Sequence, residues 1–210
     1  MMKKNIKTIS LILAVVLLFG GCFLTACASK QNGPASSTDD QTSADGKDKY
    51  MTDPIPEGKP VPVEPQDVKK GTAKGKATIS ISCKTILDNM DKLDSEKREL
   101  IPEDGWILKP VEMEFTEGES VFDLLLRTCK ENSIHMEYEN TPIYNSAYIE
   151  GIYNLYEFDC GELSGWMYKV DEWFPNYGCS RYQLKDGNVI CWEYTCDLGY
   201  DVGGGYAVGE

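Results

Sequence analysis

The chain has 210 residues, of which 41% are apolar and 10% aromatic, with four Trp and twelve Tyr, so part of it must fold around a core. Its formal charge is −13, and removal of Lys3, Lys4 and Lys7 with a leader leaves 18 basic residues against 34 acidic, a balance of −16. Such a chain is repelled by phosphate backbones, which excludes non-specific nucleic-acid binding.

The N-terminal 26 residues read as a secretory leader. Three early lysines are followed by an apolar run from Ile9 to Phe19, too short to serve as a spanning helix. Leu24-Thr25-Ala26-Cys27 closes the run and resembles the bacterial lipobox, in which the cysteine is diacylated and becomes the mature N-terminus. Cys27 is favoured over Cys22, whose preceding Phe19 is bulky where Leu, Val or Ile is usual; the plainer alternative is a secreted protein cut near Ala26. Each buried acyl methylene contributes roughly 0.8 kcal/mol, so two or three chains hold a domain at a membrane surface. The expected location is the extracytoplasmic face of a bacterial membrane, with the membrane as partner through the lipid.

Residues 27–74 read as the lipidated cysteine and a disordered Pro/Ser/Asp-rich tether. The first half is polar, and the second carries Pro54, Pro56, Pro60, Pro62 and Pro65, which favour extended chain. As flexible coil it would span on the order of 35–40 Å. The alternative is that Val61-Pro62-Val63 docks on the domain as an edge strand.

Residues 75–201 suffice for one domain. Alternation over Ala77 to Ser82 predicts a strand, Lys84 to Glu99 has irregular helical spacing ended by the turn Pro102–Gly105, and Val111, Met113 and Phe115 define one face of a second strand. Ser120 followed by Asp123 is an N-cap signal, predicting a helix from Val121 to about Asn132 with Phe122, Leu125, Leu126 and Cys129 on its apolar face. Strands are expected at Ile134–Tyr138, Tyr144–Ile149, Gly165–Val170, Ser180–Leu184 and Val189–Cys196. In the last hairpin, parity sets Leu184 opposite Ile190 and Tyr182 opposite Trp192, and buries Ile190, Trp192, Tyr194 and Cys196 on one face. The class is α+β, and residues 202–210 form a flexible Gly-rich tail.

Ser164-Gly165-Trp166-Met167-Tyr168-Lys169-Val170, Pro175-Asn176-Tyr177-Gly178-Cys179-Ser180 and Lys185-Asp186-Gly187-Asn188-Val189-Ile190-Cys191-Trp192-Glu193-Tyr194 together resemble the transcobalamin-like C-terminal domain. The resemblance runs over roughly Ala77 to Asp201. It implies a β-grasp-like mixed sheet crossed by one main helix, of the soluble-ligand-binding kind, and a corrinoid as candidate ligand. The larger helical domain that completes the pocket in vertebrate cobalamin carriers has no counterpart in residues 28–74. The turn often written Val-Asn-Gly is Val170-Asp171-Glu172 here, which weakens its positive-φ chemistry.

Cys83, Cys129, Cys160, Cys179, Cys191 and Cys196 are an even set in an exported domain, which favours disulfides with 15 possible pairings. Cys83 with Cys129 and Cys179 with Cys196 are the pairings the predicted strands suggest, and Cys191 falls on the polar face. No Cys-x-x-Cys motif occurs and His135 is the lone histidine, so no metal site, cofactor or catalytic constellation is expected. Asp197 and Asp201 lack the spacing of a calcium loop. Trp166, Tyr168, Trp173, Phe174 and Tyr177 fall within twelve residues, with Tyr144, Asn145 and Tyr148 as a second rim. With one face of the strand in the core, Trp173, Phe174 and Tyr177 in the following loop would be exposed together, and clustered exposed aromatics mark recognition surfaces; the alternative, favoured for Trp166 and Trp192, is that these rings fill the core of a small domain. The expected function is therefore a non-enzymatic small-ligand module, possessing a corrinoid or other ligand and a surface protein or transporter as partners. The alternative is a surface protein or wall-polymer interaction module.

Overall fold

In the computed structural model the described residues are 46–208; the expected leader, the expected lipidation at Cys27, residues 28–45 of the expected tether and the last two residues of the expected tail lie outside them. Alternation at Ala77, Ile79 and Ile81 builds β1 (Lys74–Ser82), which pairs antiparallel with β2 (Trp106–Thr116) and parallel with β7 (Val189–Thr195). β7 in turn pairs antiparallel with β6 (Gly165–Val170), giving the mixed sheet order β2-β1-β7-β6. Between β1 and β2 the irregular helical stretch is only α1 (Lys84–Leu87) and a 3-10 segment, Ser95–Leu100, and the expected turn follows, with Gly105 at φ 69°.

The main helix α2 (Val121–Glu131) starts at a complete capping box: the Asp123 N–H donates to Ser120 Oγ, and the Ser120 N–H donates to the Asp123 carboxylate at 2.8 Å. Its buried face is Val121, Leu124, Leu125, Thr128 and Cys129. Leu126, expected inside, is 39% exposed because the stripe is turned toward Leu124. β3 (Met136–Thr141), β4 (Ser146–Ile152) and β5 (Leu155–Tyr156) form a second antiparallel sheet. The main core joins β1, α2, β4, β6 and β7 through Ile79, Ile81, Leu124, Leu125, Ile152, Val170, Ile190 and Trp192. A smaller cluster beside α1 holds Cys83, Ile86, Leu93, Leu155, Cys160, Tyr194 and Cys196.

Two sequence expectations change here. Ser180–Leu184 is not the strand partner of β7. It holds a 3-10 turn, Cys179–Arg181, and a single bridge from Gln183 to Ser120, while Tyr168 and Val170 of β6 oppose Trp192 and Ile190. Tyr182 and Leu184 owe their alternation to burial beneath α2 rather than to a ladder. The inward face of β7, by contrast, is Ile190, Trp192 and Tyr194, as parity requires, with Cys196 buried just beyond.

The second change concerns the stretch read as spacer, which lies against the domain from residue 46 onward. A turn closes at Asp48, whose carboxylate accepts the N–H groups of Tyr50 and Thr52, and Thr52 is buried. The proline run then tracks over the core: Ile55 packs on the main cluster, Tyr177 Oη donates to Pro60 O at 2.8 Å and the Val63 N–H donates to Arg181 O at 2.9 Å. Val61–Val63 docks, but through that bond and not as a strand. Fixed φ angles leave the prolines little entropy to lose, so few contacts suffice to hold them. We call residues 46–64 the strap.

Candidate functional site

Arg181 fastens the strap. It is 1% exposed, at the end of the Cys179–Arg181 turn. Its Nη1 donates to Thr52 Oγ1, and its Nη2 donates to Asp48 at 2.6 Å and to Glu64 at 2.7 Å. The guanidinium carbon lies 5.1 Å from the centre of the Tyr50 ring. A buried cation is tolerated only when paired, and the strap supplies both carboxylates. Burial works against the Asp48 carboxylate, yet the Thr52 N–H, the Arg181 guanidinium and the Tyr50 N–H together hold it below the usual carboxylate range.

Beside this clasp is a cavity of about 450 Å³. One wall is strap, from Lys47 to Asp53, and the other is Tyr144, Tyr148 and the segment Pro175–Gly178. Tyr148 and Tyr144 are half exposed, at 49% and 52%, and both line the cavity. The Tyr148 hydroxyl donates to Glu157; burial and that carboxylate push its pKa up, so it stays a neutral donor at physiological pH. Asn176 Nδ2 donates to Asp53 O at 3.3 Å, while its Oδ1 has no partner in the fold. A neighbouring cavity of about 490 Å³ shares Thr141, Ser146 and Ala147 but is walled by Pro65, Val68, Lys70 and the capping box of α2. Its single aromatic ring is Phe122, whereas Tyr50, Tyr144, Tyr148 and Tyr177 line the first.

The structure divides the predicted site residues. Tyr144, Tyr148 and Tyr177 come together at the cavity. Asn145 lies at the neighbouring cavity, where Nδ2 donates to Glu64 and to Gln66 Oε1. Trp173 and Phe174 are not exposed: they are 6% and 3% accessible, because Asp171 and Glu172, at φ 49° and 62°, form a two-residue turn that folds Trp173 back onto Val170. Tyr177 itself is 6% exposed. Tyr168 is buried with its hydroxyl donating to Tyr177 O at 2.7 Å, and Trp166 bridges the two clusters with Nε1 donating to Leu155 O at 2.8 Å. Sequence reasoning missed Tyr50, Thr52, Asn176 and Arg181. The available signal was Arg181, a basic residue between Cys179 and Tyr182 in an acidic chain.

The cysteine expectations also change. Among the described residues no two cysteines are bonded in this structure, and Cys83 and Cys129 fall in different clusters. Cys179 Sγ meets Ala147 O at 3.5 Å, so neither suggested pairing brings its sulfurs together. His135, 45% exposed at its side chain, lies 3.3 Å from Glu137. Asp201 accepts from Thr195 Oγ1 and from the Cys196 N–H, closing the turn after β7. Among the described residues, no group of three or more His, Cys, Asp or Glu is placed to hold a metal ion.

Residues 118–196 match a family model described as a domain of unknown function, DUF4430. No curated protein matches the chain. Among solved structures, haptocorrin in complex with Cbi is similar at 12% identity and a TM-score of 0.43, over 61% of this chain and 26% of that one. The chain thus spans about a quarter of haptocorrin's length. A protein of Ruminococcus gnavus ATCC 29149 provisionally described as metal-binding is similar at 13% identity and a TM-score of 0.35, over 58% of this chain and 96% of that one.

Proposed function

We propose that this chain is a lipid-anchored, extracytoplasmic, non-catalytic module that captures a small ligand in the cavity between strap and domain. The observation that carries the reading is the cavity itself. At about 450 Å³ it falls within the 300–1,000 Å³ range of small-molecule sites, and its rim is tyrosine with a few convergent polar groups. A corrinoid is the candidate suggested by the transcobalamin-like sequence pattern: a cavity of this size holds one edge of a macrocycle, or the whole of a smaller ligand. Delivery to a membrane uptake system would follow from the anchor.

The test is a titration of the exported chain with cobalamin and cobinamide, following tryptophan fluorescence and calorimetry. Submicromolar, saturable binding is expected, weakened about tenfold or more by Tyr148→Ala or Tyr144→Ala, the loss typical of a central aromatic anchor. Absence of saturation up to millimolar ligand, with the chain shown to be folded, would overturn the corrinoid assignment. A second reading, a protein or wall-polymer partner, is favoured by one observation: Phe158 and Leu198 are 62% and 44% exposed on backbones at φ 70° and 46°, strained conformations that hold apolar side chains in water.

A further inference from the structure

We propose that Cys160 and Cys196 are joined by a disulfide in the mature protein, a covalent staple between the β5–β6 connection and the end of β7. The two sulfurs are 3.3 Å apart, with one thiol donating to the other. Both side chains are closed off from solvent, Cys160 at 0% and Cys196 at 6% exposure, inside the smaller cluster. A bond of about 2.05 Å therefore needs the sulfurs to close by little more than an ångström.

The loops that present them are already fixed. The Cys160 N–H donates to Ser164 Oγ at 3.1 Å, and the Phe158 N–H donates to Ser164 O at 3.0 Å, pinning the turn that carries Cys160. The Cys196 N–H donates to Asp201 at 2.7 Å. A backbone bond from the Leu198 N–H to Leu163 O, 2.8 Å, ties one loop to the other. Pairing thus calls for side-chain adjustment and no rearrangement of the main chain. The remaining thiols face other atoms: Cys179 meets a carbonyl and Cys191 lies 3.5 Å from Glu193 Oε1. Cys129 is on α2 in the main core, and Cys83 shares the small cluster without taking part in the sulfur–sulfur contact.

The chemistry is thiol–disulfide exchange with an external disulfide, either a low-molecular-weight one or that of an exported oxidoreductase. One cysteine, as thiolate, attacks the donor disulfide and expels one donor thiolate, leaving a mixed disulfide. The second cysteine, deprotonated in turn, displaces the other donor thiolate. The chain loses two protons and two electrons, and the donor disulfide takes them up to become two thiols. Burial and the neighbouring Cys160 thiol push Cys196 up to about 12 in the folded chain, so exchange belongs to the folding stage, before the cluster closes. Once formed, the link fixes the two loops that carry Phe158, Leu163 and Leu198.

The experiment refolds the full reduced chain in a glutathione redox buffer, denatures it, alkylates remaining thiols and maps the peptides by mass. Because it involves no ligand and no export, its outcome is independent of the binding reading. A cross-linked species joining the Cys160 and Cys196 peptides is expected, with Cys22, Cys27, Cys83, Cys129, Cys179 and Cys191 alkylated. Full alkylation of Cys160 and Cys196, or a link from either to any other cysteine, would overturn the proposal. The oxidised chain should also melt on the order of 10 °C above the reduced chain, the gain of closing a loop of this length in a domain of this size. Cys160→Ser and Cys196→Ser should each abolish that difference; if either variant fails to fold, the wild-type map alone decides.

Discussion

Replacing Arg181 by Met removes the guanidinium and keeps an apolar stem in its place, so the perturbation reports on the strap's clasp. Asp48 and Glu64 would then face each other without a cation. Losing one partner of a buried ion pair costs about 3–5 kcal/mol. The strap's carboxylates retain some water, with side-chain exposures of 35% and 18%, so they rehydrate in part and the cost falls toward the lower end, about 3 kcal/mol. At 1.36 kcal/mol per decade that is a rise of about 100-fold in the population of the opened strap. Amide hydrogen exchange reads it directly, because the Val63 N–H donates to the Arg181 carbonyl and the Thr52 N–H to Asp48. Both amides should exchange about 100-fold faster while those of β1 change little. Unchanged protection at Val63 would refute the clasp, and equal loss of protection in β1 and the strap would show that Arg181 supports the whole domain instead.

Strap docking should also weaken with acid. The Asp48 pKa is lowered in the fold, so its stabilising contribution is fully present above the unfolded value of about 3.9 and disappears as the pH falls through the lower folded value. Exchange at Thr52 measured between pH 5 and the onset of global unfolding checks this, and Asp48→Asn should flatten the dependence. At the β6 turn, Asp171 is held by hydrogen bonds from Asn188 Nδ2 and the Val189 N–H, whereas the Glu172 side chain is 86% exposed at φ 62°. Glu172→Gly should therefore stabilise the fold by about 0.5–1 kcal/mol in a urea titration; a loss would mean that the Lys169 contact outweighs the backbone strain.

What was legible in the sequence follows the range of the interaction responsible. The capping box at Ser120 and Asp123 is a three-residue signal, and α2 starts where it says. Alternation gave β1 and the face of β2, and it gave the inward residues of β7, because a side chain's face depends only on its own strand. It could not name the partner of β7. That choice is made by β1, more than a hundred residues earlier, and the alternating Tyr182 and Leu184 imitate a ladder they do not form. At the site, Tyr144 and Tyr148 were readable as surface aromatics, but the exposure expected of Trp173 depended on a loop that the tight Asp171–Glu172 turn removes. The strap was unreadable for the same physical reason on a longer scale. Its composition is that of a spacer, and its order comes from Arg181 and Tyr177, far along the chain.

The doubly held guanidinium has a mechanical corollary. Asp48 and Glu64 grip the same side chain, so the residues between them form a closed loop with both ends on one fastening. A pull applied upstream of Gly46 reaches the Asp48 end first and loads β1 only after the loop has run out. Once the Tyr177–Pro60 and Val63–Arg181 bonds give way, the stretch from Asp48 to Glu64, fully drawn, spans about 55 Å. The clasp would then work as a fuse: tension opens the cavity wall and lengthens the chain while the sheet beneath remains unstrained.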